Sequence, residues 1–240
     1  RWPYVNILVT YKHFNFWYCR FYPPNLNLYL RLEEAILKIL AENISKKFLK
    51  QALFSNFTYS FELGNRYGII GNNGSGKSTL LKIISGFLSP NTGSVTYTDG
   101  GKEIPIEEIY AHVSYCAPYI DLIESMTMDE FIDFHFKFKR FTASLDRDQF
   151  IEWVQIDPQK KIETYSSGMK QRLKLGLNLM SESKILLIDE PTSFLDSHGI
   201  EWFHRALNQF SANKILIIAS NDKNDLTTCQ EIINIENHKF

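Results

Sequence analysis

The stretch Gly71-Asn72-Asn73-Gly74-Ser75-Gly76-Lys77-Ser78-Thr79 follows a short apolar run that ends at Ile70 and opens a segment with helical periodicity. It fits the pattern G-x-x-x-x-G-K-[ST] of a loop that cradles phosphates. The glycines let backbone N–H groups converge on phosphate oxygens, and the helix N-terminus adds partial positive charge. Lys77 is placed to reach the β- and γ-phosphates, and the Ser78 hydroxyl is placed to ligate Mg²⁺. Because a strand and a helix flank the loop, we favour a nucleoside triphosphate site over a simple Gly-Asn turn before a capped helix.

A second informative stretch is an apolar run that is followed by two acidic residues. Ile185–Ile188 is long enough for a buried strand, Asp189 and Glu190 follow it, and Pro191 forbids its continuation. Ligands bind at the carboxyl ends of the strands in open α/β sheets, and an unpaired buried charge is costly. Asp189 is therefore a candidate partner of Mg²⁺, and Glu190 has the chemistry to polarise an attacking water. The alternative is that the two acids cap a helix.

Strand and helix signals alternate along the rest of the chain. We predict strands at 39–44, 57–63, 67–70, 94–97, 113–116, 185–188, 215–219 and 231–235. We predict helices at 78–87, 129–140, 146–154 and roughly 200–210, with Leu80, Leu81, Ile83, Ile84 and Phe87 of the first one facing the core. This alternation predicts α/β architecture with a largely parallel sheet, interrupted by a helical insert at about 120–180.

Composition excludes several classes of protein. The chain has 240 residues, 44% of them hydrophobic and 22% charged, so it can bury a core. The net charge of −1 supports no general affinity for nucleic acid, and no nucleic-acid partner is expected. The three cysteines are too far apart in sequence to indicate a metal pair or a redox dithiol. No uninterrupted apolar run approaches the roughly 20 residues of a membrane helix.

Residues 1–36 differ from the rest of the chain. Ten of the first 30 residues are aromatic, no acidic residue precedes Glu33, and the first methionine is Met126. Two interpretations are open: a native aromatic arm, or a fragment or translated upstream sequence joined to a domain that begins near Ile36. The second is favoured. We therefore divide the chain into an N-terminal extension at 1–36 and one domain at 37–240.

A third motif, Tyr165-Ser166-Ser167-Gly168-Met169-Lys170-Gln171-Arg172, lies about 20 residues before the acidic pair. Alone it is an ordinary capped helix start. In this order and spacing the three motifs resemble those of ATP-binding cassette (ABC) ATPases, and the resemblance covers roughly residues 37–240. It implies a P-loop NTPase core with a largely parallel sheet, an antiparallel β-subdomain and an inserted helical subdomain.

The resemblance also implies roles for individual residues. Gly71–Thr79 would hold the triphosphate of ATP, Ser78 and Asp189 would hold Mg²⁺, and Glu190 would be the general base. Phe48 falls where the family places an aromatic that stacks on adenine, although a core phenylalanine is the rival interpretation. Ser166 and Gly168 would contact the γ-phosphate bound by an opposite subunit. The functional unit would then be a head-to-tail dimer with a second copy or a homologous domain.

Tyr165, Ser167 and Met169 of the third motif depart mildly from the family pattern, and two other positions depart more heavily. Pro118 occupies the place of a glutamine that the family uses at the metal, and Asp121 or Glu124 could compensate. Asn221 occupies the place of a histidine that contacts the γ-phosphate and the attacking water. Asparagine can form hydrogen bonds but cannot carry positive charge. We therefore expect ATP binding to be preserved and turnover by Lys77, Glu190 and Asn221 to be slow.

The resemblance implies the ATPase subunit of a membrane transporter, in which integral membrane permease subunits hold the chain at the cytoplasmic face of the membrane. The chain ends about 20 residues after Asn221, which leaves no room for the regulatory domain of some importers and favours export. The alternatives are a soluble ATPase of the same superfamily and a weakly hydrolysing nucleotide sensor.

Overall fold

The computed structural model describes residues 37–49, 51–142 and 145–239. The segment 1–36, with both interpretations of it, lies outside the described residues. The strands are β1 (Lys38–Phe48), β2 (Gln51–Glu62), β3 (Arg66–Ile70), β4 (Thr92–Asp99), β5 (Lys102–Glu103), β6 (Val113–Cys116), β7 (Ile185–Asp189), β8 (Ile215–Ala219) and β9 (Glu231–Asn234). The α-helices are α1 (Lys77–Ile84), α2 (Met128–His135), α3 (Arg147–Val154), α4 (Ser167–Leu179) and α5 (Ser197–Phe210). Short 3₁₀ turns lie at Ile109–Ala111, Ile162–Thr164, Lys223–Leu226 and Ile235–His238.

The strands form two sheets. Five strands in the order β6-β7-β8-β3-β9 form a parallel sheet, and four strands in the order β2-β1-β4-β5 form an antiparallel sheet. Helices α2, α3 and α4 lie between β6 and β7 in the sequence, at the predicted place of the helical insert. The predicted α/β fold, with a largely parallel sheet and an antiparallel subdomain, is therefore confirmed.

The register of the parallel sheet determines where the functional residues meet. Every residue of β7 and β8 is buried, because their apolar runs face packed layers on both sides. Asp189 at the end of β7 pairs with Ala219 at the end of β8, and Ala219 also pairs with Ile69 of β3. The carboxyl ends of β3, β7 and β8 therefore lie side by side. The glycine-rich loop follows β3 in the sequence, and the acidic pair lies at the end of β7.

Two hydrophobic cores cover the two faces of the parallel sheet. The antiparallel sheet and α1 pack on one face, and the helical insert with α5 packs on the other. The helices pack closely within the second core. A Cβ atom at Gly176 of α4 would lie 2.7 Å from the Val154 side chain of α3, so only glycine fits there without a shift.

Two helices are shorter than the sequence predicted. Helix α1 ends at Ile84, because Gly86 adopts a φ of 78° and the N–H of Leu88 bonds back to the Lys82 carbonyl at 3.0 Å. The prediction that Phe87 faces the core is therefore wrong, and its side chain is 80% exposed. Helix α2 ends at His135 rather than at residue 140.

Candidate active site

A cavity of about 320 Å³ opens where the parallel strands end. The glycine-rich loop forms one wall, and the acidic pair forms another. The lining residues are Leu53, Asn73, Gly74, Ser75, Gly76, Lys77, Ser78, Pro118, Tyr119, Asp189 and Glu190. The structure therefore brings the two main motifs of the sequence together in one site.

The glycine-rich loop needs glycine at two of its positions for different reasons. Gly76 precedes α1 with a φ of 106°, and a Cβ there would lie 3.0 Å from the ring of Phe54. Gly74 has a φ of 79° with open space around it, so its backbone is accessible from the cavity. The loop thus presents backbone groups at the start of a helix, where partial positive charge favours an anion.

Lys77 is held by acceptors from three segments of the chain. Its side chain is 6% exposed, and its amine donates to the Gly71 carbonyl at 2.8 Å and to the Asn221 amide oxygen at 2.5 Å. The Glu190 carboxylate lies 3.6 Å from the same amine. The Asn221 amide in turn donates to the Asn73 side chain. These contacts place a cation at the mouth of the phosphate loop, beside the two acids.

Asp189 is 1% exposed, and burial raises the pKa of its carboxyl above the usual range, although the neighbouring hydroxyls of Ser78 and Tyr119 oppose this shift. Its Oδ2 atom accepts a hydrogen bond from Tyr119 at 3.2 Å. Its Oδ1 atom is buried and has no hydrogen-bond partner among the described residues. A buried acceptor without a partner is costly, so this atom is suited to a ligand that carries positive charge.

Glu190 is more accessible than Asp189, with 29% of its side chain exposed. Its φ of 46° lies in the left-handed region, which costs a non-glycine residue about 1–3 kcal/mol and is found most often at functional sites. The Oε2 atom lies 3.3 Å from the Ser220 hydroxyl and 3.5 Å from the backbone nitrogen of Asn221. Glu190 is therefore positioned by two contacts and still open to water.

Ser220 also contacts the buried carboxylate of Asp225, with its hydroxyl 2.6 Å from Oδ2. A hydroxyl carries one proton and can donate it to one acceptor at a time. The shorter contact goes to Asp225, which leaves the Glu190 carboxylate only weakly engaged. Ser220 and Asp225 were not predicted from the sequence, although Ser220 directly precedes the predicted site residue Asn221.

The segment after β6 contributes another residue that was not predicted from the sequence. Pro118 lines the cavity, as its alignment with the family's glutamine suggested, and Tyr119 lies beside it. The two acids proposed as substitutes do not line the cavity, and Glu124 pairs instead with Lys170. The only signal for Tyr119 in the sequence is that it directly follows Pro118.

Six predicted binding residues lie outside the cavity lining: Gly71, Asn72 and Thr79 of the glycine-rich stretch, and Phe48, Ser166 and Gly168. Phe48 is 50% exposed at the end of β1, with the Lys46 amine 5.3 Å from its ring centroid, so the interpretation of Phe48 as a core residue is wrong. Its stacking on adenine stays a prediction. Ser166 and Gly168 lie at the exposed start of α4, where the Ser166 hydroxyl accepts from the Met169 N–H at 3.2 Å.

The α4 turn packs against the loop that follows the acidic pair. A Cβ at Gly168 would lie 2.9 Å from the carbonyl oxygen of Phe194, and the Gln171 side chain donates to the Pro191 carbonyl at 3.0 Å. The start of α4 and the segment after Glu190 are therefore in direct contact. A shift of the α4 start would therefore displace the segment after Glu190, and the reverse also holds.

The parallel sheet, the glycine-rich loop and the acidic pair define a P-loop nucleotide-binding protein. Residues 54–193 match the family model described as ABC transporter. The chain is 32% identical over 205 residues to the uncharacterized ABC transporter ATP-binding protein YybJ of Bacillus subtilis, covering 82% of this chain and 91% of that protein. It therefore belongs to the ABC transporter family as an ATP-binding subunit, and it is an ATPase.

Two further proteins are similar to this chain. The linearmycin resistance ATP-binding protein LnrL of Bacillus subtilis is 30% identical over 185 residues, which cover 74% of this chain and 59% of that protein. The dimeric structure of MJ0796, an ABC transporter cassette, superposes with a TM-score of 0.69 at 21% identity, over 82% of this chain and 94% of that one. At that identity the second similarity shows the fold alone. In the described part of this chain, no helix has the length and apolarity needed to cross a bilayer.

Proposed function

We propose that this chain binds Mg²⁺-ATP and hydrolyses it within a head-to-tail cassette dimer, and that this reaction drives export through separate membrane subunits. The convergence of Lys77, Asp189 and Glu190 in one cavity carries the proposal. The lysine amine would bind the β- and γ-phosphates, and the Glu190 carboxylate would accept a proton from the attacking water.

The described residues fit a magnesium ion that arrives with the nucleotide. No cluster of three or more His, Cys, Asp or Glu side chains suited to a metal occurs within the described ranges. Ser78 and Asp189 alone would supply protein oxygens, including the unpartnered Oδ1 of Asp189. Mg²⁺ is commonly held by one or two protein oxygens together with substrate phosphates. When bound, it would neutralise charge on the β- and γ-phosphates.

The positions of Ser166 and Gly168 support a dimeric site. Neither residue lines the cavity of its own chain, and Ser166 is exposed at the start of α4. A helix start with free donors is suited to phosphate oxygens. The MJ0796 cassette, which has the same fold, is described as dimeric, and this supports a dimer here. We therefore propose that each α4 start completes the site of the opposite subunit.

The dimeric site predicts a strong effect of charge at position 166. Aspartate and asparagine are both good N-caps, so Ser166→Asp and Ser166→Asn should each preserve α4. Only the aspartate would place a negative charge against the γ-phosphate of the partner subunit. We expect Ser166→Asp to lose at least about tenfold more ATP-dependent dimerisation than Ser166→Asn, since two unit charges about 4 Å apart repel by several kcal/mol at the effective dielectric of a protein surface. Analytical ultracentrifugation with ATP measures the difference.

ATP binding to the monomer serves as the internal control for that pair, because it does not require the opposite α4. If the two variants dimerise equally well with ATP, Ser166 does not face the partner's phosphate and the head-to-tail arrangement is wrong. If monomer binding falls as well, the substitution acts on the chain's own site.

The membrane role is supported by the relatives rather than by a contact in this structure. LnrL is described as a resistance protein, which is consistent with export. We propose that permease subunits hold the chain at the cytoplasmic face of the membrane. Purifying the tagged chain from detergent-solubilised membranes, and then measuring ATPase activity with and without the reconstituted membrane partner, tests this role. Activity that the partner leaves unchanged would favour a soluble ATPase.

A further inference from the structure

The cavity contains a phenol hydroxyl at the place where the chain lacks the family's glutamine. Tyr119 donates this hydroxyl to Oδ2 of Asp189 at 3.2 Å, and Ser78 lines the same cavity. This hydroxyl therefore contacts one of the two side chains that are proposed to hold Mg²⁺. The other carboxylate oxygen, Oδ1, has no partner among the described residues and stays available to the ion.

The direction of the hydrogen bonds around Tyr119 follows from proton counting. The Tyr115 and Tyr119 hydroxyls lie 2.6 Å apart, and either could donate in isolation. A phenol has one proton, and Tyr119 gives its proton to Asp189, so Tyr115 must donate to Tyr119. A chain of hydroxyls thus runs from β6 to the carboxylate, and each bond in such a chain polarises the next.

The ring of Tyr119 is also held in place. The Lys82 amine from α1 lies 4.5 Å from the ring centroid, within the range of a cation–π contact. The ring is 48% exposed, so it is not retained as part of the hydrophobic core. The hydroxyl of Tyr119, which points to the Asp189 carboxylate, is therefore the part of the side chain with a specific contact in the site.

We propose that Tyr119 is a positioning residue of the metal site, whose hydroxyl orients the Asp189 carboxylate so that its unpartnered oxygen faces Mg²⁺. Hydrogen bonds to the far side of a metal ligand fix its orientation, and losing such a partner typically weakens metal affinity by about 10–100-fold. Because Tyr119 lies on the segment that follows Pro118, it supplies from a neighbouring position a polar contact that proline cannot make. This inference rests on the proposed Mg²⁺-ATP site.

The test compares Tyr119→Phe with the full-length wild-type chain. Phenylalanine retains the ring and the Lys82 contact and removes only the hydroxyl. We expect the free Mg²⁺ concentration that half-saturates tight binding of a fluorescent ATP analogue to rise about 10-fold or more. Binding of the analogue in EDTA should not change, because the metal-free phosphates are held by the glycine-rich loop and Lys77.

Two further variants make the result specific. Tyr110→Phe removes a hydroxyl from an exposed tyrosine outside the cavity and should leave the Mg²⁺ midpoint unchanged. Replacing Tyr119 by 4-aminophenylalanine, which keeps the ring and restores an N–H donor, should recover most of the loss. A purely structural role of the ring would not produce this recovery.

The outcomes separate this inference from the proposed function. If wild-type binding does not respond to Mg²⁺ at all, the proposed metal site itself is wrong. If wild type responds and Tyr119→Phe responds at the same midpoint, Tyr119 does not position Asp189 and the inference alone fails. An equal loss of binding with and without metal would also overturn it, because the hydroxyl would then act on the nucleotide or the fold.

Discussion

Glu190→Gln is expected to reduce ATP hydrolysis by about 10²–10⁴-fold, the usual contribution of a general base, while ATP still binds and the dimer persists. Glutamine is nearly isosteric with glutamate and can adopt the same backbone conformation, but its amide cannot accept a proton from water. Lys77 loses the carboxylate 3.6 Å from its amine but keeps its contacts with Gly71 and Asn221. The phosphate loop should therefore bind nucleotide normally. Steady-state phosphate release and size-exclusion chromatography with ATP measure the two effects.

Glu182→Gln is a matched control, because this exposed acid precedes β7 at the end of the strand far from the cavity lining. It removes the same charge from the chain without touching the site, so hydrolysis should be unchanged. Turnover at the wild-type rate in Glu190→Gln would show that another group accepts the proton. Loss of ATP binding in that variant would show instead that the carboxylate is needed to hold Lys77.

Local patterns were sufficient to predict most of the fold. The four apolar residues before Asp189 and the five residues of β8 can form little else than buried strands, and both are fully buried. Helix ends were predicted less well, because apolar periodicity continued through Gly86 to Phe87. The left-handed conformation of the glycine ended the helix first, and this turned Phe87 to the surface.

The parts of the site that were missed depend on contacts between distant segments. Tyr119 reaches Asp189 across 70 positions of the sequence, and no periodic pattern marks such a contact. The bond between Ser220 and Asp225 is local, but its importance comes from Glu190, which arrives from a different strand. Motifs predicted the residues that would touch the nucleotide. The groups that orient those residues became visible only when the strands were placed side by side.

Asn221→His is expected to raise the rate of ATP hydrolysis by up to about 10²–10³-fold, since that is what one well-placed transition-state hydrogen bond contributes. In the present structure the Asn221 oxygen accepts from Lys77 at 2.5 Å, and its amide donates to Asn73. The oxygen and the nitrogen of the Asn221 amide are both neutral. A histidine there can carry a positive charge toward the γ-phosphate, which asparagine cannot. Steady-state kinetics at saturating ATP measure the change.

The matched control is Asn221→Gln, which keeps a neutral amide and lengthens the side chain by one methylene group. Its rate of ATP hydrolysis should therefore stay slow. Both variants keep the glycine-rich loop and the contact of the Lys77 amine with the Gly71 carbonyl, so ATP affinity should change little in either one. An unchanged hydrolysis rate in Asn221→His would mean that the missing histidine does not limit this enzyme. The double variant Asn221→His/Glu190→Gln distinguishes a positioning effect from proton acceptance. If histidine only stabilises developing charge, the double variant should stay as inactive as Glu190→Gln, whereas recovered turnover would show that a base at position 221 can replace Glu190.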